Sequence, residues 1–514
     1  MQMRTSVTDL VVVVIYLLAV TAIGCLIPRR PKSTDQFAAA GGRLPGWVVG
    51  LSIIGTFVSS LSFIGSPGKT FGGTWVPFVF SLTLPYAAWV STKWFVPFFR
   101  NCGSLSAYHH LEERFGAWSR LYASICNVLY HIARIGAILF AVSVAVAHLF
   151  CEDPEDIQIV VQTLILIIGV LVIIYAVIGG IEAVIWTDVI QSIILVGGTL
   201  VCLAIVLGKI PHGFAGVISE ATGTKPNKLA LGSMAFDLSA PESFWTMILF
   251  GFFINLQNFG GDQTFVQRYF TAKSEAAASR SVWMGALLFI PISALLFFIG
   301  TSLFVYYKSA GILPEGIEND HVLPHFIATE LPTGVAGLLI AAILAAAMST
   351  VDSSLNSSST LLLVDVRNRF FNRAVTQPDG TELRDESKDL FFLKLSTVLI
   401  GILGIGLGLI LSTQPSGILD GWWTLSGILS GGTLGLILLA RFTRVQGWQA
   451  GAAGIAAGFL GMAVVVIAGL DSDLALVQTL KPVSTVLHKR MAIVVGTLLI
   501  FGVGALAGRT KTPR

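Results

Sequence analysis

Charge is what this chain has least of. Only 12% of its 514 residues are Asp, Glu, Lys or Arg, about half of the roughly 25% that a soluble domain carries. Its mean hydropathy is +0.80. A chain so poor in charge cannot cover a soluble surface, so the layered core of a soluble domain is excluded. Cysteine is also scarce. Cys25, Cys102, Cys126, Cys151 and Cys202 are scattered, odd in number and free of any C-x-x-C spacing, which leaves neither a disulfide framework nor a zinc site. Alternating ten-residue strand patterns are missing, which argues against a membrane barrel. No H-E-x-x-H, nucleophile elbow or complete phosphate loop occurs, so an enzyme has no support. Ser66 to Thr70 imitates a phosphate loop, but Phe63 stands where the pattern needs glycine. No appended soluble domain is expected, the longest polar insertion being 368–389. No cleavage pattern follows the first apolar run, which therefore reads as a span. The net charge of +3 is small, and no nucleic-acid partner is expected.

What is present is a succession of apolar runs of spanning length. They predict an all-α polytopic membrane protein with about 13 helices, at 7–27, 46–68, 74–99, 121–150, 158–179, 183–207, 243–267, 281–307, 332–364, 391–413, 417–440, 447–469 and 490–508. An odd count puts the termini on opposite sides. With the N-terminus outside, 20 of the 32 Lys and Arg residues fall in cytoplasmic segments, Arg120 and Arg268 among them. The external loops are acidic or mixed, as in Cys151 to Asp156 and Asp471 to Asp473. The positive-inside rule therefore predicts a multi-pass protein of the plasma or inner membrane, N-terminus outside and C-terminus cytoplasmic.

Polar residues inside these runs mark the functional regions. Leu344 to Leu355 reads LAAAMSTVDSSL. Ser349, Asp352, Ser353 and Asn356 recur at i, i+3, i+4 and i+7 and so share one helix face. A carboxylate at bilayer depth costs about 2.5–3.5 kcal/mol on insertion scales and persists beside a cavity, a partner or an ion. Hydroxyls with a carboxylate are hard oxygen ligands for a small cation. Two further runs look interrupted. The 46–68 run holds five glycines, a proline and Thr56, Ser59, Ser60 and Ser62; the 243–267 run ends in Asn255, Gln257, Asn258, Gly260, Gly261, Asp262 and Gln263. Five spans apart, they fit the broken helices of an inverted-repeat transporter. For any single glycine or serine, close packing between helices is the commoner explanation; the clustered set in both runs favours a site. His131 and His148 lie within apolar runs; a satisfied interior histidine is the common case and a proton relay the rarer one.

Four stretches carry a resemblance: FIGSPGKTFGGTW (Phe63 to Trp75), GGIEAVIWTDVIQ (Gly179 to Gln191), GGDQTFVQRYFTAKS (Gly260 to Ser274) and AAAMSTVDSSLNS (Ala345 to Ser357). Their order and spacing resemble the sodium:solute symporter family, which includes bacterial sialic-acid, galactose and proline symporters and the sodium–glucose cotransporters. The resemblance implies one transporter domain over 1–514 with a leucine-transporter-type core. Its inverted five-helix repeats would span 46–207 and 243–440, with peripheral helices at 7–27 and 447–508. It implies Na+ as the coupling ion, held by carbonyls of Gly55, Val58 and Ala346 and the hydroxyls of Ser349 and Thr350. A second Na+ position would involve Asp188, Ser349, Asp352 and Ser353. Asp352 departs from the small or hydroxyl residue of other members. Two carboxylates there could hold a second Na+, share a proton or trade Na+ for H+ coupling. Solute contacts would come from Ser59, Ser62, Ser81, Arg134, Asn255 and Asn258. Ser81 and Asn258 depart from the acidic and aromatic residues of sugar-carrying members. Arg134 matches an arginine that receives the substrate carboxylate in sialic-acid symporters. Its alternative is an assembly role beside Asp188, Glu182 or backbone carbonyls. The function implied is Na+-coupled symport of a small polar or anionic solute (a sugar, sialic acid or other carboxylate). A transport-derived membrane sensor and an H+-coupled symporter are the alternatives.

Overall fold

Backbone groups inside a bilayer must be paired within their own segment, which leaves helices as the spanning element for this composition. The structure, a computed structural model, describes residues 6–26, 31–151, 153–310, 317–371, 375–376, 382–383, 385–413, 418–470 and 474–510. These residues are nearly all helical. Among the described residues, eight helices are long and apolar enough to cross a membrane, nine if one bent pair is added.

The principal helices, in chain order, are α1 (Val7–Leu26), α2 (Gly46–Phe57), α3 (Ser60–Gly72), α4 (Ala117–Phe150) and α5 (Pro154–Gly208), followed by α6 (Phe244–Gly261), α7 (Gln263–Thr271) and α8 (Glu275–Ala310). The rest are α9 (Val335–Leu361), α10 (Glu386–Leu411), α11 (Ile418–Phe442), α12 (Trp448–Ala468) and α13 (Ala492–Ala507). Two short antiparallel pairs join β1 (Val375–Thr376) to β2 (Glu382–Leu383) and β3 (Val445–Gln446) to β4 (Arg509–Thr510).

The places where helices break have local causes. The expected run at 74–99 is a chain of short helical pieces with Pro77, Pro85 and Pro97 in their first turns, where a missing N–H costs nothing. The expected runs at 158–179 and 183–207 are the two arms of α5, joined at Gly180 with φ 61° and ψ −151°. A Cβ at Gly180 would lie 2.6 Å from the Phe37 carbonyl oxygen, so both conformation and space demand glycine. Between α6 and α7 the chain leaves the helix at Asp262, whose carboxylate accepts the Thr264 N–H at 2.8 Å and caps α7.

The centre of the molecule is α9. All of its residues except Val335 and Leu338 are buried, as expected of a helix surrounded by other helices rather than by lipid. It packs on α1, α4, α5 and α10. Its N-terminus is capped from α1: Asp9 Oδ1 accepts the N–H groups of Gly334 and Gly337 at 2.7 and 2.9 Å. A carboxylate there satisfies orphan donors and opposes the helix dipole.

Candidate functional site

The site is organised around the break between α2 and α3, which are bent by 56°. Val58 and Ser59 leave helical geometry. The Val58 N–H bonds the Ile54 carbonyl and the Ser59 N–H bonds Phe57, so neither amide closes on Gly55 or Thr56. Helix ends leave such carbonyls for other partners. The Thr56 carbonyl accepts from Arg134 Nη2 at 3.2 Å. At Gly55, α2 lies tightly against α9 and α5: a Cβ there would lie 2.7 Å from Ser349 Oγ and 3.1 Å from Ser192 Oγ. Carbonyls and hydroxyls at such a break are hard oxygen donors of the kind that suit Na+.

Directly beside the break lies a buried charge cluster. Asp188, on α5, is fully buried. Its carboxylate accepts from Ser52 Oγ at 2.5 Å, from Ser349 Oγ, and from Arg268 Nη2 at 2.9 Å. The Arg268 guanidinium also donates to Ser52 Oγ at 2.9 Å, Ser353 Oγ at 2.7 Å and the Thr264 carbonyl at 2.8 Å. The second carboxylate, Asp352, accepts from Tyr175 OH at 2.6 Å and from Ser353 Oγ at 3.3 Å. Thr350 turns its hydroxyl to the Ala346 carbonyl at 3.1 Å. Gly55, Asp188, Ser349 and Ser353 are thus gathered where α2, α5, α7 and α9 meet, and Asp352 sits against Ser353 on the α5 side.

A cavity of about 570 Å³ opens from the α2–α3 break. Its volume lies in the range of small-molecule sites. Ser59, Ser62, Ser81, Arg134 and Asn258 all line it. Asn255 does not: its amide donates to Thr83 Oγ1 at 2.9 Å and to the Phe80 carbonyl at 3.2 Å. It ties α6 to the 79–83 turn instead, because the face of α6 carrying Asn258 and Gln257 is the one turned to the cavity. Ser81 reaches the wall with its hydroxyl 2.8 Å from Ser293 Oγ. One wall is aromatic, where the Phe57 ring meets Phe265 and Phe289 at centroid distances of 4.7 and 5.5 Å. The charged lining is mainly cationic, with Lys69, Arg134, Lys489 and Arg490 facing Asp262 and Asp320.

Two of the cations counted in cytoplasmic segments are buried in ion pairs. Arg268 is fully buried as the partner of Asp188. Arg120 is likewise buried, paired to Asp365 at 2.6 Å. Positive-inside counting places cations by loop and cannot see a carboxylate brought in from another helix. Tyr175, Ser52, the Lys489–Arg490 pair and Thr433, which lines the cavity and accepts from Gln257 Nε2 at 2.9 Å, have no candidate role in the sequence reading. Arg268 was signalled by its place in the D-Q-x-x-x-Q-R block; Lys489 and Arg490 carry no local pattern.

A bent helix, a buried carboxylate cluster and a cavity that carries charged and polar side chains within a helical bundle define a membrane transporter. Its family follows from comparison. Residues 37–446 match the model of the "Sodium:solute symporter family", and the chain belongs to that family. It is 34% identical to the Proteus mirabilis sodium/sialic acid symporter SiaT over 84% of this chain and 83% of that protein. A solved structure of a Na+-coupled sialic acid symporter, substrate-bound, outward-open and with a novel Na+ site, superposes with a TM-score of 0.84 at 28% identity, covering 98% of this chain and 100% of the other. The fold is shared more distantly with MHP1, a nucleobase-cation-symport-1 transporter, at a TM-score of 0.54 and 15% identity, covering 93% and 94%. The chain is a sodium-coupled symporter and not an enzyme.

Proposed function

We propose that this chain couples Na+ to the uptake of a small carboxylate-bearing solute by alternating access. The observation that carries the reading is Arg134. Its guanidinium lines the cavity, reaches the Thr56 carbonyl at the α2–α3 break, and leaves Nη1 buried without a partner. An uncompensated buried donor is costly, and a carboxylate fits an Arg fork in two-point fashion. The assembly alternative loses its main partners, since Asp188 pairs with Arg268 and Glu182 pairs with Arg43 at 2.6 Å. The cationic lining and the sialic-acid relatives support the same choice. Ser59, Ser62, Ser81 and Asn258 would complete the solute's contacts.

Na+ would bind at the break, between the Gly55, Val58 and Ala346 carbonyls and the Ser349 and Thr350 hydroxyls. A second ion would sit near Asp188, Ser349, Asp352 and Ser353. Occupancy would hold α2 against α9 and complete the cavity beside it. The architecture we infer has thirteen spans, counting the arms of α5 separately and taking the α2–α3 pair, the short pieces of 76–101 and the α6–α7 pair as one each. Inverted repeats would cover 46–207 and 243–440, with the N-terminus outside. One Na+ gains about 2.3 kcal/mol per 100 mV, and a tenfold gradient adds about 1.4 kcal/mol. Together these allow roughly 500-fold accumulation of a neutral solute per ion. An anion gives back about one charge of that gain, which favours two ions per cycle.

The test is solute-stimulated charge movement in proteoliposomes, with and without Na+, across sialic acids, other carboxylates, amino acids and neutral sugars. A Na+-dependent current for a carboxylate that is lost in Arg134→Gln is the expected result. A current with neutral sugars that survives Arg134→Gln would refute the anion reading.

A further inference from the structure

We propose that Asn127 and Gln257 form a second solute subsite in the same cavity, one that accepts hydrogen bonds from hydroxyl or amide N–H groups; the proposal rests on the seating of a carboxylate at Arg134. Both side chains line the cavity and are only 5% and 4% exposed. Asn127 Oδ1 and Gln257 Oε1 are buried without a hydrogen-bond partner among the described residues. The Gln257 amide is held in place. Its Nε2 donates to Thr433 Oγ1 at 2.9 Å, and a Cβ at Gly261 would lie 2.5 Å from its Oε1. Glycine at that position, one turn on, leaves the oxygen its room.

The spacing along α4 sets this subsite apart from Arg134. Residues seven apart on a helix return to the same face two turns on, about 10 Å along the axis. Asn127 and Arg134 stand in that relation, and Cys126, Tyr130 and Ile138 line the cavity with them. The cavity therefore follows one face of α4 for about 18 Å, from Cys126 to Ile138. A carboxylate on Arg134 fills one part of it. The rest of a longer solute lies against Asn127 and Gln257, which a very short acid on Arg134 does not reach.

Two amide oxygens call for donors. Each is a buried acceptor whose lost hydration is uncompensated, so a solute hydroxyl or N–H that reaches it gains a bond and relieves that cost. The charge beside them selects the same chemistry. Asp262 follows at the α6–α7 break; its N–H bonds the Gln257 carbonyl at 2.9 Å, and its side chain lines the cavity. His131, one turn along α4 from Asn127, lies 3.2 Å from that carboxylate. A second anionic group would meet Asp262 here, and an alkyl chain would leave both amide oxygens unpaired. The solute class that fits is a carboxylate carrying hydroxyl or N-acyl groups about 10 Å away, in preference to a short or alkyl monocarboxylate. A site built to bond a solute's donors rejects the analogue lacking them more strongly than an apolar wall rejects a change of size.

The experiment is calorimetry on the full-length protein in nanodiscs at saturating Na+, with N-acetylneuraminate, gluconate and hexanoate as probes. Gluconate and hexanoate have carbon chains of equal length, the one hydroxylated and the other not. Both hydroxylated acids should bind at least about tenfold more tightly than hexanoate, and Asn127→Leu or Gln257→Met should lower that ratio about tenfold. Arg134→Gln should weaken every probe. Hexanoate binding within about threefold of both hydroxylated acids would overturn the subsite, and this comparison uses the unaltered protein, so it holds however either variant folds. A ratio undiminished in both variants, with binding still lost in Arg134→Gln, would also overturn the subsite and leave the anion reading standing. Binding indifferent to Arg134→Gln, or absent for every probe, would overturn the anion reading and this inference with it.

Discussion

Removing the guanidinium of Arg268 while keeping its stem, as in Arg268→Met, isolates the Asp188 carboxylate in a site with no water contact. Both side chains are fully buried. Stranding one member of a buried pair costs about 3–5 kcal/mol. Adding Asp188→Asn removes the stranded charge. The double variant then loses only the donations to Ser52, Ser353 and the Thr264 carbonyl, at about 1 kcal/mol each before relaxation. Set against each other, these costs make the double variant more stable than the single by up to about 2 kcal/mol. Unfolding in mixed micelles under an increasing fraction of dodecyl sulfate, followed by tryptophan fluorescence, reads both values. A single variant that loses less than about 1 kcal/mol, or a double variant no better than the single, would refute the view that Arg268 holds this charge in place.

Three further outcomes follow from the geometry. Ser349→Ala or Thr350→Ala should raise the Na+ concentration for half-maximal uptake by about tenfold, the value of one ligand to a charged group; unchanged Na+ dependence in both would remove these hydroxyls from the ion site. Gly300→Ala would set a Cβ 2.1 Å from both the Pro67 carbonyl oxygen and Thr70 Oγ1, so it should destabilise the α3–α8 contact by about 1–3 kcal/mol, whereas Gly65→Ala meets no atom within 4 Å and should leave the melting temperature unchanged. Burial, with Arg490 and Lys489 adding to it, lowers the His488 imidazole to about 4, below its unfolded value of about 6.5. The unfolded chain then binds the extra proton in that window, so stability is full above about pH 6.5 and falls as pH drops towards 4. His488→Gln should flatten that slope in a thermal-melt series, and an identical slope would count against it.

The breaks were the most legible part of the molecule. Clustered glycine and serine announced the interruption after Phe57, and the polar run after Ile254 announced the one at Asp262, because unpaired backbone and side-chain polarity are expensive in lipid. The apolar runs located most helices but not the proline-divided pieces of 76–101, where hydropathy stays high through each break. Asn255 shows the limit of a local pattern: a polar run says that some face is wet, not which side chain turns to it. Tyr175 shows another: it matters through Asp352, far along the chain, and pairing over that distance leaves no mark in neighbouring residues.

The joint at Gly180 bears on how this protein can be probed. Its helical arms meet without an intervening loop, against Phe37 and beside the Arg43–Glu182 pair. A reporter or epitope spliced into that joint would have to displace the Phe37 segment, and its signal would describe a damaged protein. Maps of membrane sidedness should therefore place their tags at the solvent-facing ends of the helices and pass over this joint.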